Sequence, residues 1–231
     1  MNLVRYATYP GRHPREVVLL RGRPCVWGRC TFCDYTADNT TDEGEMERVA
    51  DATLALVTGR FGRLQVINSG SIHELTPRVL ERIRRTIRLR GITDCWAEFY
   101  WAYRKRVVEI RDYLGIETHL FLGVETFDDR LRNEVLNKSM HWKGPDEVAA
   151  VTDSICLLIG FRGQTRDSVR KDIETLLTRF RYGIINLFSP NTRSGGLLDP
   201  EIQEWFREEF SWLEREPNVD VLWKNTDLGV G

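Results

Sequence analysis

The chain lacks most of what would tie it to a membrane, to secretion or to a polyanion. No apolar run approaches the ~20 residues of a membrane-spanning helix. Residues 1–13 are polar and have no signal-peptide core. Charge of either sign is missing in the sum: 33 basic and 34 acidic residues leave a net charge of −1. That balance removes any general pull toward nucleic acid or an anionic surface. There is no internal repeat, linker or low-complexity tract. The 231 residues read as a single domain, 1–231, large enough for a substantial core. Cysteine is sparse outside one short stretch, where only Cys95 and Cys156 occur. Both read as core, which leaves no cysteine set for a second metal centre. The expected compartment is the cytoplasm, where thiols stay reduced.

What the chain does have is Cys25-Val26-Trp27-Gly28-Arg29-Cys30-Thr31-Phe32-Cys33. Three thiolates on one loop hold a metal centre one ligand short. A structural zinc site closes with four protein ligands, so a lone trio suggests a centre with an open position. A 4Fe–4S cluster on three cysteines keeps one iron for a small molecule. Zinc stays open as an alternative, completed by His13, His73, Cys95 or Cys156. A disulfide is disfavoured, because three close cysteines leave an odd one.

Strands and helices alternate around this loop. Short apolar runs at 17–20, 64–67, 94–100, 118–124, 154–159 and 184–188 read as buried parallel strands, with 219–223 as a seventh. Helices are predicted over 45–58, 76–91, 107–114, 128–136, 167–180 and 200–215. Met46, Val49, Ala52, Leu56 and Val57 are expected on the inner face of the first, and Val169, Ile173, Leu176 and Leu177 on that of the fifth. Residues 1–16 read as irregular, with Pro10, Gly11 and Pro14 as breakers, and 216–231 as a C-terminal extension. The fold class is α/β: an open, partial (βα)6 TIM-like barrel. Chemistry in such folds collects at the carboxyl ends of the strands. The polar and glycine-rich segments fall there: Asn68-Ser69-Gly70-Ser71, Glu98 among aromatics, Gly123-Val124-Glu125-Thr126 and Gly160-Phe161-Arg162-Gly163.

The cysteine loop after the first long strand resembles the radical S-adenosylmethionine (radical SAM) enzymes. Their usual spacing is C-x3-C-x2-C, one residue shorter than here. The resemblance implies that Cys25, Cys30 and Cys33 ligate three irons of a 4Fe–4S cluster and that SAM chelates the fourth. It places Phe32 near the adenine and Ser69, Gly70 and Ser71 at the SAM amino group. Glu125 would bind the ribose or methionyl end, and Gly160 and Phe161 would pack on adenine. Glu98 is either a SAM or substrate contact or an internal ion pair with Arg104. The reaction implied is cleavage of SAM to a 5′-deoxyadenosyl radical, fed by an electron donor such as flavodoxin or ferredoxin.

Ser69-Gly70-Ser71 and Cys33-Asp34-Tyr35 are similar to a branch acting on 7-deazaguanine nucleosides. One member makes archaeosine on transfer RNA. A smaller one releases queuine from queuosine 5′-phosphate. The compact chain and absent basic surplus favour the free nucleotide over transfer RNA. Lys138, Arg193 and Lys224 are candidates for a phosphate, and Asn186, Asn191 and Asp227 for the base. For each of these, a solvated surface residue is the plainer reading. A zinc-dependent barrel hydrolase and a non-catalytic iron–sulfur sensor are the rivals.

Overall fold

The computed structural model describes residues 3–224 and 226–231. The chain divides into two compact units. The first comprises Met1–Gly28, Tyr35–Leu120 and Leu228–Gly231; the second comprises Arg29–Asp34 and Phe121–Asp227.

The first unit opens with a hairpin. β1 (Tyr6–Tyr9) pairs antiparallel with β2 (Arg15–Leu20), from Tyr6 opposite Val18 to Tyr9 opposite Arg15. This corrects the reading of 1–16 as irregular. The breakers Pro10, Gly11 and Pro14 make the turn of a hairpin rather than ending structure. Every residue of β2 is buried. Arg15, at its start, lies between the rings of Tyr9 and Trp96, 4.3 and 4.4 Å from their centroids. There follow α1 (Glu43–Leu54), β3 (Arg63–Asn68), α2 (Pro77–Arg90), β4 (Asp94–Phe99) and α3 (Val107–Leu114). α2 carries its own start and stop. Thr76 Oγ1 accepts from Val79 N, Pro77 occupies the first turn, and Gly91 ends the helix in the left-handed region at φ 61°. Val79, Ile83 and Ile87 form its buried stripe.

β5 (Glu117–Glu125) runs from the first unit into the second. The second unit adds α4 (Pro145–Ala149), β6 (Ser154–Ile159), α5 (Arg166–Arg179), β7 (Tyr182–Leu187), α6 (Pro200–Glu209) and β8 (Val219–Leu222). Asp128 Oδ1 accepts from Leu131 N at 2.9 Å, and the turn it opens is a π turn, Leu131–Val135. A core cluster of Leu131, Leu136, Leu158, Phe161 and Phe188 packs with Phe32 and Val135 at its margin.

The strands follow one another in sequence order, β1 to β8, in one sheet. The pairs β2–β3, β3–β4, β5–β6, β6–β7 and β7–β8 are parallel. This is the expected open partial barrel of α/β class. Three helix readings need correction. α1 stops at Leu54, which leaves Leu56 54% exposed. Leu177 stands on the outer edge of α5 at 39% exposure. α6 ends at Glu209, and a separate 3-10 turn covers Ser211–Arg215. No helix among the described residues is long and apolar enough to cross a membrane.

Candidate active site

In the first unit, the carboxyl end of β3 meets the residues around Cys25. Cys25 is half-buried. With the Asn39 amide oriented to satisfy both its atoms, Asn39 Oδ1 accepts from Cys25 N at 3.2 Å and its amide donates to Ser69 O at 3.1 Å. The next amide, Val26 N, donates to Glu74 Oε1 at 2.6 Å. Glu74 Oε2 accepts from Ser71 N at 2.7 Å, and Tyr103 OH reaches Oε1 at 3.4 Å. Glu74 is buried, and burial holds its carboxyl above the ordinary range even though these donors pull it down. The Tyr103 ring stacks on His73, centroids 4.8 Å apart. His73 spends its ring nitrogens on Ser71 Oγ and Arg106 O. Gly70 has no room for a side chain. A Cβ there would collide with Glu74 Oε2 and press on Cys25 Cβ at 3.3 Å. Beside it, the buried Asn68 Oδ1 and Ser69 Oγ have no hydrogen-bond partner.

In the second unit, Cys30 and Cys33 are half-buried and their segment is sewn down by main-chain bonds. Thr31 N donates to Leu136 O at 3.1 Å, and Thr31 Oγ1 donates to Val135 O at 2.8 Å. Asn137 Nδ2 donates to Arg29 O at 2.8 Å. Asn191 Nδ2 donates to Phe32 O at 2.6 Å, and Arg193 Nη1 donates to Cys33 O at 3.3 Å. Under this segment lies a buried ion pair, Lys138 Nζ to Glu125 Oε1 at 2.6 Å. The ammonium also sits 5.3 Å from the centroid of the Phe32 ring. Burial works against its charge, but Glu125, Cys30 and Cys33 together raise its pKa above the ordinary lysine value. Glu125, at the end of β5, has φ 63°. Asn137 and Ser139, on either side of Lys138, have φ 49° and 50°. Left-handed backbone at three non-glycine residues is a cost that the surrounding bonds must hold in place. Gly123 leaves the pair its space. A Cβ there would stand 2.8 Å from Glu125 Oε1 and 3.1 Å from Lys138 Nζ.

The remaining candidates scatter in role. Phe161 is a fully buried member of the second unit's core. The amides of Gly160 and Phe161 both donate to Gln164 Oε1, at 2.8 and 3.2 Å. Glu98 is half-buried on β4, Tyr35 is 51% exposed, and Asn186 is half-buried on β7. Lys224 is exposed, and its N–H donates to Asp227 Oδ2 at 2.9 Å in a local turn. Asn191 and Arg193 are fasteners of the cysteine segment, and Lys138 is buried against Glu125. Cys95 and Cys156 are buried on their strands as expected. Sequence reasoning missed Glu74, Asn39 and Gln164. A signal for Glu74 exists in Ser71-Ile72-His73-Glu74, a serine followed three residues later by glutamate, the pattern of a capping box.

No protein-family model and no curated protein matches the chain. Among solved structures it is similar to a queuine lyase from Clostridium spiroforme bound to SAM and queuine. Identity is 40%, the TM-score is 0.96, and the match covers 100% of each chain. The chain belongs to the queuine lyase family of radical SAM enzymes. A second likeness, to Streptococcus suis SuiB bound to SAM, has 13% identity and a TM-score of 0.55 over 92% of this chain and 51% of that one. It speaks for the fold alone.

The residues of this queuine lyase family member fit an iron–sulfur cluster by the chemistry of their donors. Among the described residues, no group of three or more His, Cys, Asp or Glu side chains forms a ready-made ion site. The cysteine loop offers sulfur alone, which suits iron–sulfur chemistry better than a hard cation. Lys138 brings a positive charge to the segment of Cys30 and Cys33, its ammonium 5.3 Å from the Phe32 ring centroid, which suits an anionic cluster. The partnerless Asn68 Oδ1 and Ser69 Oγ are buried acceptors awaiting a donor.

Proposed function

We propose that residues 1–231 form a radical SAM core domain that splits queuosine 5′-phosphate and releases queuine. The observation that carries this reading is the full-length likeness to a queuine lyase bound to SAM and queuine. Cys25, Cys30 and Cys33 hold the 4Fe–4S cluster. When bound, cluster and SAM would supply the radical chemistry needed to abstract hydrogen from the substrate ribose and so free the base.

The chain's own residues bind, orient and exclude water. Asn68 Oδ1 and Ser69 Oγ accept from the SAM ammonium, where Gly70 permits close approach. Ser71 acts indirectly, since its N–H is held by Glu74. Glu125 and Glu98 offer carboxylates to SAM hydroxyls. Phe32 and Tyr35 flank the cluster loop, and Gly160 and Phe161 shape the wall beyond the end of β6. Asn186 is the candidate for the base, and Arg193 for the phosphate while it also holds Cys33 O. The electron donor is of the flavodoxin or ferredoxin class, and the compartment is the cytoplasm.

The test is anaerobic. The chain is reconstituted with iron and sulfide, reduced, and given SAM and queuosine 5′-phosphate, with Cys30→Ala beside it. Queuine and 5′-deoxyadenosine are expected from the wild type and not from the variant. Colourless protein carrying zinc, with SAM intact, would sink the reading.

A further inference from the structure

The buried pair in the second unit is costly. Taking both charges out of water is offset only by excellent geometry and further hydrogen bonds, so a buried pair is weak evidence for stability and invites another role. Lys138 and Glu125 have the geometry, at 2.6 Å. Three features aim the cation at the cysteine segment. The backbone on either side of Lys138 is left-handed, at Asn137 and Ser139. The same stretch is stitched to Arg29 O and to Thr31, so it moves with the segment that carries Cys30 and Cys33. The ammonium lies against Phe32, between those cysteines in sequence, and interacts electrostatically with both thiols.

An iron–sulfur cluster that takes one electron gains one unit of negative charge. A fixed cation nearby stabilises that state, and a fixed anion opposes it. Groups beyond the direct ligands are a principal lever on such potentials. We infer that Lys138 is a positioning residue that raises the reduction potential of the cluster held by Cys25, Cys30 and Cys33, with Glu125 as the counter-charge that limits the rise. The electron comes from the flavodoxin- or ferredoxin-class donor, and no covalent bond of the protein changes. The inference rests on the cluster assignment proposed above.

The test is an EPR-monitored redox titration of the reconstituted full-length chain without SAM, so that turnover plays no part. Lys138→Met is expected to shift the midpoint negative. Glu125→Gln, which leaves the cation uncompensated, is expected to shift it positive. Lys138→Arg keeps the charge and should hold the potential close to wild type. Opposite signs from the two halves of one pair are the signature, because general loosening would move both variants the same way. Shifts of one sign, or no shift in a loaded cluster, overturn the role of Lys138 and leave the cluster assignment standing. A wild-type chain that takes up no iron and sulfide overturns both. If Lys138→Met loads no cluster, Glu125→Gln decides alone, and a null or negative shift there rejects the inference.

Discussion

Glu74 and Glu125 are both buried carboxylates near cysteines, one in each unit, and they are neutralised differently. Glu74 is satisfied by Val26 N, Ser71 N and Tyr103 OH, none of them a cation. Glu125 is held by the Lys138 ammonium. The difference separates two jobs. The Glu74 side fixes backbone, including the amide next to Cys25, and brings no positive charge. The Glu125 side fixes backbone through Thr31, Asn137 and Asn191, which leaves its ion pair available for electrostatics.

The sharpest way to break that contrast is to remove one partner of the ion pair. Lys138→Met leaves Glu125 buried and uncompensated, with an expected loss of about 3–5 kcal/mol, read by denaturant unfolding of the cluster-free chain. Glu74→Ala strands two backbone donors and should cost about 2–4 kcal/mol. Unlike Lys138→Met, it should leave the cluster midpoint close to wild type in any protein that loads. Gly123→Ala crowds the pair from the side at a cost of about 1–3 kcal/mol, seen as a lower melting temperature. Asn191→Ala removes a single bond to Phe32 O and should cost about 1 kcal/mol, with faster iron release to a chelator as its readout.

A third buried carboxylate sharpens the comparison through pH. Asp172 accepts from Phe127 N at 2.8 Å, but its Oδ2 has no partner. Burial pushes its pKa up to about 7. An acid whose pKa is raised by folding binds its proton more tightly in the folded chain. It therefore contributes fully below the ordinary value of 3.8, and that contribution is lost as pH rises to about 7. Asp172→Asn should flatten this part of the stability-versus-pH curve, measured by urea unfolding between those limits.

How far the sequence carried the fold depended on whether a signal was local. The strands of 17–20, 64–67 and 154–159 are apolar runs buried on both faces, and the structure has them in place. β1 escaped because Tyr6-Ala7-Thr8-Tyr9 is short, partly exposed and followed by breakers. Leu56 and Leu177 were read inward because apolar periodicity does not say where a helix stops or how wide its buried stripe is. The cysteine loop was legible as a motif. Its supports were less so: Asn39 and Asn191 act on main-chain groups of distant segments, which leaves no spacing to read, and the capping-box pattern at Ser71 and Glu74 does not show the reach of Glu74 to Val26 N. Lys138 looked like a surface phosphate contact because burial of a lone lysine depends on where Glu125 ends up.

The burial of Cys95 and Cys156 has a practical consequence. Burial pushes the Cys95 thiol up to about 12, so it is neither ionised nor reachable at neutral pH. Cys156 is likewise shut inside β6. Of the five cysteines, the three half-buried ones are those of the loop. Brief alkylation of the native chain, followed by intact-mass measurement, therefore works as a counter of loop occupancy. Empty protein should gain up to three adducts and fully loaded protein none, so each preparation carries its own gauge of how much of it is competent.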